Sequence, residues 1–256
     1  KETIKDTHIK DCLLNMWMTE FTENNPEEIA LSQEDKQFVK TMTEKVEVVD
    51  GHYQLPLPFK ERNPQMPESR QQAVARLKSI RRRLLSDRNF SQDYSAFMQN
   101  ILDKGYAAPC ADQKGSWYIP HFGVYHPTKN KIRVVFDCSA RNQGTSLNSK
   151  LLQGPDLTNS LVGLLMRFRK EKVAVMAHIE SMYYQVRVPE EQHTYMRFLW
   201  WPDGDPSSEH ADYEMKVHLF GAISSPSCAN FALKQAASDA TSFSKEAASM
   251  LRKDFY

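Results

Sequence analysis

The chain has 256 residues, with 33 Lys and Arg against 32 Asp and Glu, for a formal charge of +1. That length suits one large domain or two small ones with an ample core, and a charge so near balance excludes nucleic-acid binding through bulk positive charge. No apolar stretch approaches the roughly 20 residues of a membrane-spanning helix, and no hydrophobic leader opens the sequence. The four cysteines (Cys12, Cys110, Cys138, Cys228) are scattered, with no Cys-x-x-Cys. They fit a reducing, intracellular compartment and offer no metal-ligand spacing.

In chain order, residues 1–50 read as a helical extension or linker. Ile9, Cys12, Leu13, Met16 and Trp17 recur at helical spacing. Ser32 precedes a short predicted helix through Thr41, placed to cap its first turn. Residues 46–48 and 52–57 read as strands joined by Asp50 and Gly51, which both tolerate positive φ. A proline-bounded linker at 64–67 leads to a basic amphipathic helix over 69–85, with Ala73, Leu77, Ile80 and Leu84 on one face. A second helix spans 94–102, and Gly105 ends it. Strands are predicted at 117–119, 121–125 and 132–136, the last two joined through 127–130.

A helix is expected over 158–170, with Leu161, Leu164, Leu165 and Phe168 facing inward. Next comes the apolar run 173–177, which by its length and Val and Ala content reads as a buried strand. His178 stands where that strand would emerge, a rigid place to mount chemistry. Strands at 195–200 and 213–219 form a hairpin across the loop 202–206, and Ala-rich helices at 226–240 and 244–252 close the chain. Lys78, Arg81, Arg82 and Arg83 form one basic cluster, and Arg167, Arg169, Lys170 and Lys172 another. Either is a solvated helix face or a phosphate-binding patch.

Three segments occur in order: Arg133-Val134-Val135-Phe136-Asp137, then His178-Ile179-Glu180-Ser181-Met182-Tyr183, then Phe220-Gly221 with Pro226. They resemble Arg-x-x-x-Asp, Asp-x-x-x-x-Tyr and Phe-Gly-x-x-x-x-Pro of reverse transcriptases. Leu57-Pro58-Phe59-Lys60, Tyr94-Ser95-Ala96-Phe97, Leu151-Leu152-Gln153-Gly154-Pro155 and Gln185-Val186-Arg187-Val188-Pro189 are similar to the BEL/Pao class of retrotransposons. The resemblance runs from about Leu55 onward. It implies an α+β fold: the fingers and partial palm of a right-hand polymerase over 51–256, behind the extension at 1–50.

Several roles follow from the resemblance. Arg133 would hold the triphosphate, with Lys131 or Lys129 as a second cation; guanidinium suits that task because it binds phosphate bidentately. Tyr183 would lie beneath the sugar and select deoxynucleotides, Phe220 and Gly221 would border the nucleotide, and Pro226, Arg81 and Arg82 would touch the template–primer. The alternatives are a solvent-facing basic strand, a core tyrosine, and a plain turn before a helix. An intact relative would use Mg²⁺, an RNA or DNA template–primer and deoxynucleotides. Here His178 stands at the place of the first catalytic aspartate. Tyr256 is read as the first letter of a Tyr-x-Asp-Asp motif whose aspartates lie beyond it. Two magnesium ions about 3.5–4 Å apart need bridging carboxylates, and a single imidazole nitrogen is a poor substitute. Glu180 reads as a solvated or salt-bridged side chain. The chain is therefore expected to hold no metal and to be inactive as a polymerase. The alternatives are a non-catalytic module binding nucleic acid or protein, and an unselected product of a decayed element.

Overall fold

The computed structural model describes residues 31–110, 117–128, 131–170, 172–242 and 244–256. The helix expected near Ile9, and Lys129 at the hairpin turn, lie outside the described residues. Helix α1 (Gln33–Lys45) begins at Ser32, whose hydroxyl accepts from Asp35 N at 3.1 Å. Its buried residues are Phe38 and Met42, one turn apart. Strands β1 (Glu47–Val49) and β2 (His52–Gln54) pair antiparallel. Asp50 (φ 48) and Gly51 (φ 78) make the turn with positive φ at both positions, as their sequence predicts.

Helix α2 (Arg70–Ser86) buries Ala73, Leu77, Ile80 and Leu84, the face expected from spacing alone. Asp87 separates it from α3 (Arg88–Asp103) and accepts from Phe90 N at 3.0 Å. Helix α3 turns Phe90, Tyr94, Met98 and Ile101 inward, and it starts a turn and a half before the predicted boundary because Asp87 is its cap. Strand β3 (Ala107–Pro109) follows, then a hairpin of β4 (His121–Tyr125) and β5 (Ile132–Phe136) with His121 opposite Phe136 and Tyr125 opposite Ile132.

A short helix α4 (Leu147–Lys150) is held by a reciprocal Ser146–Ser149 capping box. Helix α5 (Leu161–Phe168) comes next. Strands β6 (Arg197–Trp200) and β7 (Ala211–Met215) pair antiparallel across the 201–210 loop, and β3 pairs with the other edge of β7, giving the order β3-β7-β6. Helices α6 (Ser225–Asp239) and α7 (Lys245–Lys253) complete the chain. Helices and antiparallel strands that do not alternate make the fold α+β.

The main core joins α2 and α3 to both β-units; Tyr94, Tyr118, Phe136, Phe198 and Trp200 are among its largest buried side chains. A second core gathers Phe38 and Met42 of α1 with Leu55, Leu152, Val186, Cys228 and Ala232. Helix α1 is thereby packed onto segments from the middle and end of the chain.

Three expectations are corrected. Residues 117–119 form no strand, only a single parallel bridge from Tyr118 to Arg197. Helix α5 does not turn its apolar residues inward: Leu161, Leu165 and Phe168 are exposed, and Gly163 is its buried residue. The run 173–177 is neither strand nor buried, with Val173, Val175 and Met176 at 79%, 83% and 85% exposure. An apolar sequence can favour a strand, but a strand needs a neighbour to bond with. None of the described strands lies alongside it.

Candidate nucleotide site

The end of β5 is where distant segments meet. After buried Leu219 the chain turns at Phe220 and Gly221, and Gly221 adopts φ +112. A Cβ built there would stand 2.2 Å from the carbonyl oxygen of Phe136, so only glycine permits this approach to β5. Asn148 fastens the junction from α4. Its Nδ2 donates to Gly221 O and to Ser139 Oγ, each at 2.9 Å, and its Oδ1 accepts from Ile223 N at 2.9 Å. The turn after β5 and the turn before α6 are thus held by one side chain.

The second wall is a single 3₁₀ turn, Met182–Gln185, entered through Ser181 at φ 51. Tyr183 and Phe220 meet with ring centroids 4.3 Å apart at 42°, and Tyr184 meets Phe220 edge-on at 6.1 Å and 85°. Tyr184 is buried against Tyr106, and that burial pushes its hydroxyl up to about 12. Gln185 Nε2 donates to Glu180 O at 2.9 Å and braces the turn. The outcome is an aromatic ledge: Tyr184 is the core residue, Tyr183 is half-buried, and Phe220 remains 50% exposed.

Two cations stand at the start of β5. Arg133 is the exposed position of β5, between buried Ile132 and Val134, and exposed Lys131 immediately precedes the strand. Neither side chain has a hydrogen-bond or ion-pair partner among the described residues. Glu180 accepts from Lys104 at 2.6 Å. That hydrogen bond, then the Lys104 charge and more weakly the Lys131 charge, hold the Glu180 carboxyl below its ordinary range. Lys131 is therefore within electrostatic reach of the segment that leads into Tyr183.

His178 is exposed and has no side-chain partner among the described residues. Glu180, the nearest acid along the chain, is engaged with a lysine. One imidazole and one committed carboxylate cannot supply the bridging oxygens that magnesium chemistry requires, so the donor set does not fit a two-ion site. Among the described residues there is no group of three or more His, Cys, Asp or Glu that could hold a metal ion.

The remaining candidates are dispersed. Pro226 sits exposed in the first turn of α6. Arg81 and Arg82 lie on the exposed face of α2, and the Arg82 guanidinium donates to Ser79 Oγ at 3.3 Å within the helix. No described contact ties either arginine to the ledge. In the second cluster, Arg167 is taken up by Asp254 at 2.8 Å and by the Lys253 carbonyl. The residue that sequence reasoning overlooked is Asn148. Leu147-Asn148-Ser149-Lys150 carries no motif, and what Asn148 clamps is far away along the chain.

No model of a known protein family matches the chain, and no curated protein matches it significantly.

Proposed function

We propose that this chain is the fingers and partial palm of a retrotransposon reverse transcriptase of the BEL/Pao kind, retaining a nucleotide and template–primer platform without catalysis. The observation that carries the reading is the junction of three segments far apart in sequence. Gly221 abuts the carbonyl of Phe136, and Phe220 packs at a tilt against Tyr183. Parts of three segments that resemble separate polymerase motifs are thus neighbours, which supports the reading. In this reading the exposed Arg133 and Lys131 hold the phosphates. The Tyr183 ring, kept rigid by Phe220 and the Tyr184 core, bars a 2′-hydroxyl and favours deoxynucleotides.

Template-directed nucleotide transfer was the ancestral reaction, and His178 is where it fails. The attacking primer oxygen and the leaving pyrophosphate both need charge stabilisation that imidazole and a lysine-paired Glu180 do not give. A binding role is the reading that the site supports in its present state. Primer extension on an RNA template, with Mg²⁺ or Mn²⁺ and deoxynucleotides, tests the loss. The expected result is no extension, together with a gel shift of the same template–primer at low salt. Extension by the chain as it stands would overturn the two-ion argument. The absence of any shift would mean that the resemblance records ancestry alone.

A further inference from the structure

The turn that carries Tyr183 and the turn that carries Phe220 are the ends of two neighbouring segments. Residues 186–188 leave the first turn, and residues 216–219 lead into the second. Val188 N donates to Lys216 O and His218 N to Val186 O, each at 2.9 Å, with an antiparallel bridge from Arg187 to Val217 between them. Lys216 N donates in turn to the carbonyl of Tyr106, the residue before β3, at 2.8 Å. The other side of 186–188 is taken by a segment from much earlier in the chain. Arg187 N donates to Tyr53 O at 2.8 Å and Leu55 N donates to Arg187 O at 2.9 Å, a parallel bridge centred on Gln54. Leu55 reaches the third segment as well: its carbonyl accepts from His218 Nε2 at 3.0 Å, and both residues are fully buried. One residue is thus bonded to both segments that carry the ledge. Side chains repeat the pattern. Asp50 pairs with Arg187 at 2.6 Å, the Tyr53 hydroxyl donates to Asp239 of α6 at 2.6 Å, and His52 Nδ1 lies 3.3 Å from the carbonyl of Gln185, the last residue of the Tyr183 turn. Val186 shares the second core with Leu55 and with Phe38 and Met42 of α1.

We propose that residues 50–57 are a positioning clamp for the aromatic ledge. They hold 186–188 directly and 216–219 through His218, so the clamp and both turns open and close as one cooperative unit. The physical reason is that these backbone groups are buried. An amide or carbonyl that loses its partner there finds no water to replace it, so one segment cannot lift without orphaning groups on the others. A ligand that binds the closed ledge must then steady Leu55 too, because coupling between two sites is reciprocal. The identity of that ligand rests on the nucleotide reading above; the clamp does not. Leu55, His218, Asp50 and Tyr53 are positioning residues in this scheme, acting on the ledge through Val186, Arg187 and Leu219.

Hydrogen–deuterium exchange of the full chain, read peptide by peptide, tests the clamp. His218→Leu removes the donor to Leu55 O and leaves that carbonyl buried without a partner, whereas His218→Gln keeps a donor. His218→Leu should speed exchange roughly tenfold or more at 53–57, 182–188 and 216–221. His218→Gln should restore most of that protection, and α2 and the β4–β5 hairpin should exchange as in the parent. A second variant, Asp50→Asn with Tyr53→Phe, cuts only two side-chain ties, keeps a residue that tolerates positive φ at 50, and should fold as the parent does. It should speed exchange at 53–57 and 182–188 together, by a smaller factor. Adding a deoxynucleoside triphosphate to the parent should slow exchange at 182–188 and at 53–57 alike. Faster exchange confined to 53–57 in the variants, or spread evenly over the chain, would overturn the proposal. So would protection by the nucleotide at 182–188 alone. Protection at neither segment would count against the nucleotide reading, and the two variants would then decide the clamp by themselves.

Discussion

At the scale of single residues, two features have measurable consequences. Gly221 combines a positive φ with an approach to β5 that leaves no space for a methyl group. Gly221→Ala should therefore cost about 2–4 kcal/mol in chemical denaturation, from strain and overpacking together. Loss of under 0.5 kcal/mol would mean that the turn relaxes freely. The second feature is a pair of buried histidines. His121 Nε2 donates to Leu199 O at 2.8 Å, which leaves Nδ1 to accept from the Tyr94 hydroxyl at 2.5 Å. His218 Nε2 donates to Leu55 O at 3.0 Å. Burial lowers both imidazoles from 6.5 to about 4, against the opposing effect of those backbone bonds. The unfolded chain therefore takes up these protons first. The stability they confer is complete above about pH 6.5 and is lost as pH falls toward 4, on the order of 3 kcal/mol for each. His218→Gln keeps a donor for Leu55 O and removes one titration. Its denaturation midpoint should fall less steeply between pH 7 and pH 4.5 than that of the parent. An identical slope would show that His218 is not buried neutral.

At the scale of elements, what was legible depended on how far away the deciding partner lay. The buried face of α2, the Ser32 cap and the Asp50–Gly51 turn are local chemistry, and each appears where its residues predict it. The 173–177 run was legible as apolar and strand-prone, and illegible as to its neighbour, because pairing is decided by segments elsewhere. Helix α5 was misjudged for the same reason: periodicity marks an apolar stripe and says nothing of whether another element covers it. Asn148 was invisible, since one asparagine in a four-residue helix has no pattern until Gly221 and Ile223 come within reach. Helix α1 offers a direct check. Phe38 is fully buried against Leu152, Cys228 and Ala232, and the ring also fills the space beside Gly154. Phe38→Ala should destabilise the whole chain in one transition by about 3–5 kcal/mol. A separate, early transition confined to the first helix would show that α1 folds apart from the rest.

At the scale of the molecule, the fold brings Tyr183 and Phe220 together in one aromatic ledge, leaves Arg133 exposed on β5, and leaves His178 exposed in the segment that leads into the ledge. The near-neutral net charge makes the nucleic-acid proposal a sharp one, because affinity must come from a few placed cations. The measurement that tests it most directly is fluorescence anisotropy of a labelled RNA–DNA template–primer across a salt series, with the parent chain and Arg133→Glu compared. The account predicts binding that weakens linearly in log–log form with salt. Arg133→Glu should bind less tightly and with a shallower salt slope, by about one phosphate contact. Binding that Arg133→Glu leaves unchanged in both affinity and slope, or no binding at the lowest salt, would contradict it.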